Sequence, residues 1–281
     1  MTGVGIVFIE ELHLGVDYEK CGLKSPEKAP VFTGYILKNY DEYCKNRLRP
    51  AVIICPGGGY FYTSDREATP MATEFLAAGM NAFVLRYSCA PSRFPTALVE
   101  LATAVKLVRQ HAKEWNIDPD KIIVQGGSAG GHLAASLGVF WDDDVLRSRG
   151  FQGKEHKPNA LILAYPVISG TSHPHMDSFK NLLGDDLTNE MLEFLSLEKR
   201  VSKNTPPTFL WHTLEDEVAY PQNSMLFASA LMECGVPLEL HIFPEGSHSL
   251  VNGNEIANVP ERIRPKVRAW IPMVMDWIKK L

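Results

Sequence analysis

At 281 residues, 45% hydrophobic, 22% charged and with a formal net charge of −5, the chain is long enough to bury a large core and carries no basic footprint for nucleic acid. No apolar run approaches the ~20 residues that span a membrane, and the start, 1–14, lacks a basic n-region and halts its apolar run at Glu10-Glu11, unlike a signal peptide. Cys21, Cys44, Cys55, Cys89 and Cys234 are scattered without C-x-x-C spacing, which predicts reduced thiols in a cytoplasmic setting.

Segments 6–14 and 31–37 read as strands separated by a polar loop. Val31, Thr33, Tyr35 and Leu37 alternate with Phe32, Gly34, Ile36 and Lys38, the pattern of an outer antiparallel pair. The apolar run Ala51-Val52-Ile53-Ile54-Cys55 predicts a strand covered on both faces. It ends in Pro56-Gly57-Gly58-Gly59-Tyr60-Phe61-Tyr62. Successive glycines cost backbone entropy, so they serve either a tight turn or a backbone that aims N–H groups at an oxyanion. Ser64 and Glu67 have the S-x-x-E spacing of a capping box, which predicts a helix running on to about residue 78. A buried strand at 81–86, a loop at 87–95 and an amphipathic helix at 96–115 follow.

Residues 116–120 end that helix and lead into Ile122-Ile123-Val124, a short buried strand. Straight after it comes Gly126-Gly127-Ser128-Ala129-Gly130, a G-x-S-x-G, and then a small-residue helix through Leu133, Ala134, Ala135 and Leu137. Strand, sharp turn and helix are the setting of a nucleophile elbow, in which a strained serine projects its hydroxyl above the sheet. Gly126 and Gly130 stand where a Cβ would clash with the turn or the next strand. The alternation then repeats, with strands at 160–165, 209–213 and 238–243, a helix at 222–234 and a last helix from about 261 to 281. Such alternation predicts one α/β domain, 1–281, with a mostly parallel, doubly wound sheet. Segment 169–207 breaks the rhythm and reads as a small cap inserted over the sheet edge.

A serine nucleophile needs a base to take its proton and a carboxylate to hold that base. On a parallel sheet both belong on loops after later strands, in the order Ser, acid, His. Asp216, between Glu215 and Glu217, follows one such strand, and His248, in Gly246-Ser247-His248, follows the next. Glu215 and Glu217 stay open as alternatives to Asp216. His132, one helical turn beyond Ser128, reads as a structural hydrogen-bonding histidine, and His212 as a satisfied core histidine. His173, His175 and Asp177 form an irregular cluster that suits cap packing or substrate contact better than metal, so neither metal nor cofactor is expected. For Tyr60, Phe61 and Tyr62, core packing and stacking on a sugar ring weigh equally.

The combination of Pro56-Gly57-Gly58-Gly59-Tyr60, Gly126-Gly127-Ser128-Ala129-Gly130-Gly131-His132, Tyr165-Pro166-Val167-Ile168 and Pro244-Glu245-Gly246-Ser247-His248 resembles α/β-hydrolase esterases. The nearest are the bacterial branch of acetyl xylan and feruloyl esterases; the hormone-sensitive-lipase-like esterases are more distant. The likeness runs from about 51 to 248. Pro56 stands where that family usually has His, and Tyr220 where a proline commonly follows the acid. The resemblance implies an α/β-hydrolase fold, with Ser128 as nucleophile, His248 as base and Asp216 as acid. It implies backbone N–H groups of Gly58, Gly59 and Ala129 as oxyanion donors; by their position, Tyr60, Tyr62 and His175 are candidates to contact substrate. The expected substrate is a small-molecule ester, most plainly an acetylated sugar. An aryl-formamide or small-peptide amidase, or a non-catalytic receptor on the same scaffold, are the alternatives. Neither nucleic acid nor membrane is expected as a partner, and a homo-oligomer stays open.

Overall fold

The computed structural model of the chain describes residues 6–42 and 45–281. Its strands are β1 (Val7–Leu12), β2 (Val31–Leu37), β3 (Arg49–Cys55), β4 (Asn81–Arg86), β5 (Ile117–Gly127), β6 (Ala160–Ala164), β7 (Thr208–Thr213) and β8 (Leu238–Phe243). They form one eight-stranded sheet in the order β1-β2-β4-β3-β5-β6-β7-β8. β1 and β2 pair antiparallel, β2 joins β4 antiparallel, and every later pairing is parallel. That is the doubly wound α/β-hydrolase arrangement, in which ligands gather at the carboxyl ends of the strands.

The helices are α1 (Thr69–Ala77), α2 (Thr96–Gln110), α3 (Ser128–Phe140), α4 (Asp144–Arg147), α5 (Met176–Leu183), α6 (Asn189–Phe194), α7 (Gln222–Glu233), α8 (Pro265–Arg268) and α9 (Trp270–Lys280). Strand residues alternate between the two faces of the sheet. Ile53, Ile122, Val124 and Leu210 pack against Leu101 and Val105 of α2, Leu133 and Leu137 of α3 and Phe227 of α7. Val52, Ile54, Ile123 and Trp211 face the other way, against Met71 and Phe75 of α1 and Trp270 and Val274 of α9. Trp211 and Trp270 stack with ring centroids 5.2 Å apart.

Several elements depart from the reading of the sequence. The predicted last helix from about 261 is three pieces, a 3₁₀ turn at Pro260–Arg262, then α8 and α9. Pro265 lacks the N–H that a continuing helix needs and follows an extended Arg264, and Pro272 lacks the N–H that would bond Arg268 O, so the run is broken at both places. α2 stops at Gln110, and β5 begins at Ile117, where Arg49 pairs with Ile117 across a register shift. The capping box does not form. Ser64 makes no side-chain cap bond, only a 3₁₀ turn (Asp65–Glu67) precedes α1, and Glu67 turns inward instead.

Segment 169–207 emerges from β6, an interior strand of the sheet. It packs over the carboxyl ends of the strands and is tied down there. Asn223 of α7, fully buried, accepts from the N–H groups of Ile168 and Ser169 at 2.9 Å each. Asn181 Nδ2 donates to Gly59 O at 2.9 Å, and Leu195 O accepts from His132 at 3.2 Å. Among the described residues Cys21, Cys55, Cys89 and Cys234 are free thiols; Cys44 lies outside the described residues.

Candidate active site

β5 delivers Ser128 to the end of the sheet. The residue has φ of +54°, a strained backbone for a side chain with a Cβ. The turn is kept tight by two glycines: a Cβ on Gly126 would meet Gly130 O at 2.1 Å, and one on Gly130 would meet Cys55 O at 2.0 Å. α3 starts at Ser128 itself, so its first N–H groups have no partner within the helix.

The loop after β7 carries Asp216 and the loop after β8 carries His248. Asp216 is buried at 1% exposure, whereas Glu215 and Glu217 are exposed. Glu215 instead accepts from Gly246 N at 2.7 Å. Asp216 Oδ1 accepts from Val218 N and Ala219 N at 2.9 and 3.0 Å. Its Oδ2 lies 2.7 Å from His248 Nδ1, and His248 Nε2 lies 2.8 Å from Ser128 Oγ. With a carboxylate on one side, Nδ1 holds the imidazole proton and Nε2 is free to accept from the serine hydroxyl. The ring of Tyr165 stands edge-on to His248 at 5.2 Å.

Burial by itself would raise the Asp216 pKa. Hydrogen bonds from His212 and His248 outweigh it and hold the carboxyl below the usual carboxylate range. His212 is a satisfied core histidine; its Nε2–H reaches Asp216 Oδ2 at 3.1 Å while donating to Ala219 O at 2.7 Å. Ser224 Oγ sits 2.7 Å from His212 Nδ1. Asp216 is therefore gripped from both sides.

Facing Ser128 is the glycine loop after β3. Gly57 N–H donates to Glu67 Oε2 at 2.8 Å. Among the described residues the N–H groups of Gly58, Gly59 and Ala129 have no protein acceptor. They are the free donors of this site. Glu67 was missed as a site residue. Its other oxygen accepts from Ser249 Oγ at 2.6 Å, so one carboxylate joins the glycine loop to the His248 loop. Arg66 and Arg262 brace the same loop by donating to Ser249 O at 2.7 and 3.1 Å.

Tyr60 does not contact substrate space. It is 3% exposed, and its hydroxyl donates to His132 Nδ1 at 2.9 Å. Burial pushes the His132 pKa down to about 4, so the ring is neutral and its Nε2–H donates to Leu195 O. Tyr62 and Phe61 do reach the open, at 59% and 69% exposure. With His175, Glu67, Ser128 and His248 they line a cavity of about 590 Å³. His175 Nδ1 is 2.8 Å from Ser178 Oγ, and His173 Nδ1 is 3.1 Å from Ser172 Oγ, so the two rings engage different partners. Among the described residues no group of three or more His, Cys, Asp or Glu side chains is placed to hold a metal ion.

The BD-FAE family model matches residues 40–231, which include both Ser128 and Asp216. The chain belongs to the BD-FAE family. It takes its place among the α/β-hydrolase esterases, on the acetyl xylan esterase branch. The chain is 39% identical over 211 residues to endo-1,4-beta-xylanase B of Butyrivibrio fibrisolvens, covering 74% of this chain and 33% of that protein. Against the acetylxylan esterase of Xylanibacter ruminicola it is 29% identical over 204 residues, covering 70% and 40% respectively. The chain thus spans well under half the length of these curated relatives. A solved structure, the acetyl ester-xyloside bifunctional hydrolase from Caldicellulosiruptor lactoaceticus, superposes with a TM-score of 0.83 at 34% identity, covering 96% of each chain. In this BD-FAE chain, no helix among the described residues is long and apolar enough to cross a membrane.

Proposed function

We propose that the protein is a serine carboxylesterase that removes short acyl groups, acetyl above all, from sugars and short oligosaccharides. The observation that carries this reading is the unbroken chain Asp216 Oδ2–His248–Ser128 Oγ, with contacts of 2.7 and 2.8 Å, set opposite free backbone donors. Ser128 Oγ attacks the ester carbonyl as its proton passes to His248 Nε2. The oxyanion collects hydrogen bonds from the N–H groups of Gly58, Gly59 and Ala129. The tetrahedral adduct then collapses, His248 gives its proton to the departing alcohol, and an acyl group remains on Ser128. Water attacks that acyl-enzyme, again losing a proton to His248, and the carboxylic acid leaves as Ser128 recovers its hydrogen.

The lining of the cavity supports a polyol leaving group. Ser64, Arg66, Asp177, Lys180 and Asn181 line it beside Phe61, Tyr62 and Val218, so a sugar's hydroxyls find polar partners and its C–H face an apolar one. The similarity to an acetylxylan esterase and to an acetyl ester-xyloside hydrolase points the same way.

The test is hydrolysis of 4-nitrophenyl esters from acetate to octanoate by the wild type and by Ser128→Ala. Activity that peaks at acetate and disappears in the variant is expected. Activity persisting in Ser128→Ala would remove the nucleophile, and a wild type inert on every ester would remove the esterase reading.

A further inference from the structure

The turn 58–62 displays two aromatic side chains that its own packing does not use. It is braced throughout. Ser64 N–H donates to Gly57 O at 2.9 Å, Phe61 N–H to Gly58 O at 3.0 Å, and Ala90 N–H to Tyr60 O at 2.8 Å. Arg86 locks the far side, donating to Asp65 Oδ1 at 2.7 Å and to Thr63 O at 3.3 Å. Yet Phe61 and Tyr62 remain 69% and 59% exposed on this rigid support. Two adjacent rings held in water gain nothing from the fold, and such a patch marks a place where something binds.

The two rings form a ridge between two hollows. On one side is the catalytic cavity; on the other is a cleft of about 540 Å³, walled by Glu27, Lys28, Asp65, Arg86 and Ser88 as well as by the same two aromatics. Each hollow is within the size range of a small-molecule site. We propose that the second cleft is a saccharide subsite, and that the Phe61–Tyr62 ridge carries an oligosaccharide from it into the catalytic cavity. This rests on the acyl-sugar reading and sharpens it: the substrate is an acylated oligosaccharide longer than a single ring. A pyranose has an apolar C–H face and a rim of hydroxyls. The face matches a flat aromatic ring. The rim matches the ammonium of Lys28, which donates to hydroxyls, and the carboxylates of Glu27 and Asp65, which accept from them. A lipid chain would suit the ridge but would strip water from the charged walls beyond it.

The experiment compares kcat/KM for deacetylation of acetylated xylose with that for acetylated xylo-oligosaccharides of increasing length, with 4-nitrophenyl acetate as reference. The variants are Ala29→Trp, which fills the cleft from an exposed position on its wall, and Glu27→Ala/Lys28→Ala, which strips the wall instead. The wild type is expected to gain roughly tenfold on lengthening the saccharide, equivalent to about 1.4 kcal/mol of added contact. Both variants lose that gain and hydrolyse 4-nitrophenyl acetate as the wild type does. A wild type that treats monomer and oligomers alike, or variants that both keep the gain, would overturn the subsite while leaving the acyl-sugar reading intact. A wild type that cleaves 4-nitrophenyl acetate but no acetylated saccharide would overturn both.

Discussion

Glu67 is where stability and activity meet in this site, and truncating it separates two accounts of its role. In Glu67→Ala the Gly57 N–H loses its acceptor at 2.8 Å and the Ser249 hydroxyl loses its own at 2.6 Å. Water has little access, since Glu67 is only 4% exposed. The carboxylate also fills space that the backbone leaves for it, because a Cβ on Gly127 would stand 2.4 Å from Glu67 Oε2. Each buried polar group left unpaired costs about 1–3 kcal/mol, so the pair costs about 3 kcal/mol in all. For a chain of 281 residues that lowers Tm by roughly 5 °C. The rate effect is larger. Gly57 precedes the free donors of the glycine loop and Ser249 follows His248, so freeing both ends lets donors and base drift apart, and a displacement of about 1 Å costs about 10²-fold in kcat. Thermal unfolding and 4-nitrophenyl acetate kinetics measure the two effects on one preparation. Glu67→Gln keeps the shape and one good acceptor, and is expected to fall between. A Glu67→Ala protein that loses the stability but keeps wild-type kcat would refute the reasoning, leaving Glu67 a brace with no hold on the reacting groups.

Two further outcomes are expected. Asp216→Asn removes the charge that steadies His248 and is expected to lower kcat about 10⁴-fold, whereas Glu217→Gln, at an exposed neighbour, leaves it unchanged; equal losses in ester-hydrolysis kinetics would show that the acid is wrongly chosen. His132 is neutral in the fold with its pKa pushed down to about 4, while the unfolded chain titrates near 6.5, so the unfolded state binds the extra proton first and stability falls as pH drops through that window by about 3 kcal/mol. Urea unfolding at pH 7, 5.5 and 4 should show a shallower decline in His132→Gln than in the wild type, and parallel declines would contradict it.

What was legible in the sequence is what local geometry demands. Gly126 and Gly130 had to be glycines because backbone oxygens stand where a Cβ would sit, and that requirement is visible within a pentapeptide. Asp216 was separable from Glu215 and Glu217 only by spacing and resemblance; the physical reason, burial between two imidazoles, depends on the folded loops. The breaks at Pro265 and Pro272 were legible in principle, and the strong apolar period from Trp270 onward simply masked them. Ser64-x-x-Glu67 was a different matter. The same four residues serve a capping box if the carboxylate turns back to its own helix, and an active-site brace if it turns away. The partner that decides is Ser249, 182 residues further along. Tyr60, Phe61 and Tyr62 pose the same problem, since only the buried His132 ring tells the first from the other two. The reacting groups of such a site sit in short motifs because each is positioned by its own turn. The residues that hold those turns to one another are polar, buried and paired across the whole chain, so no local pattern reveals them.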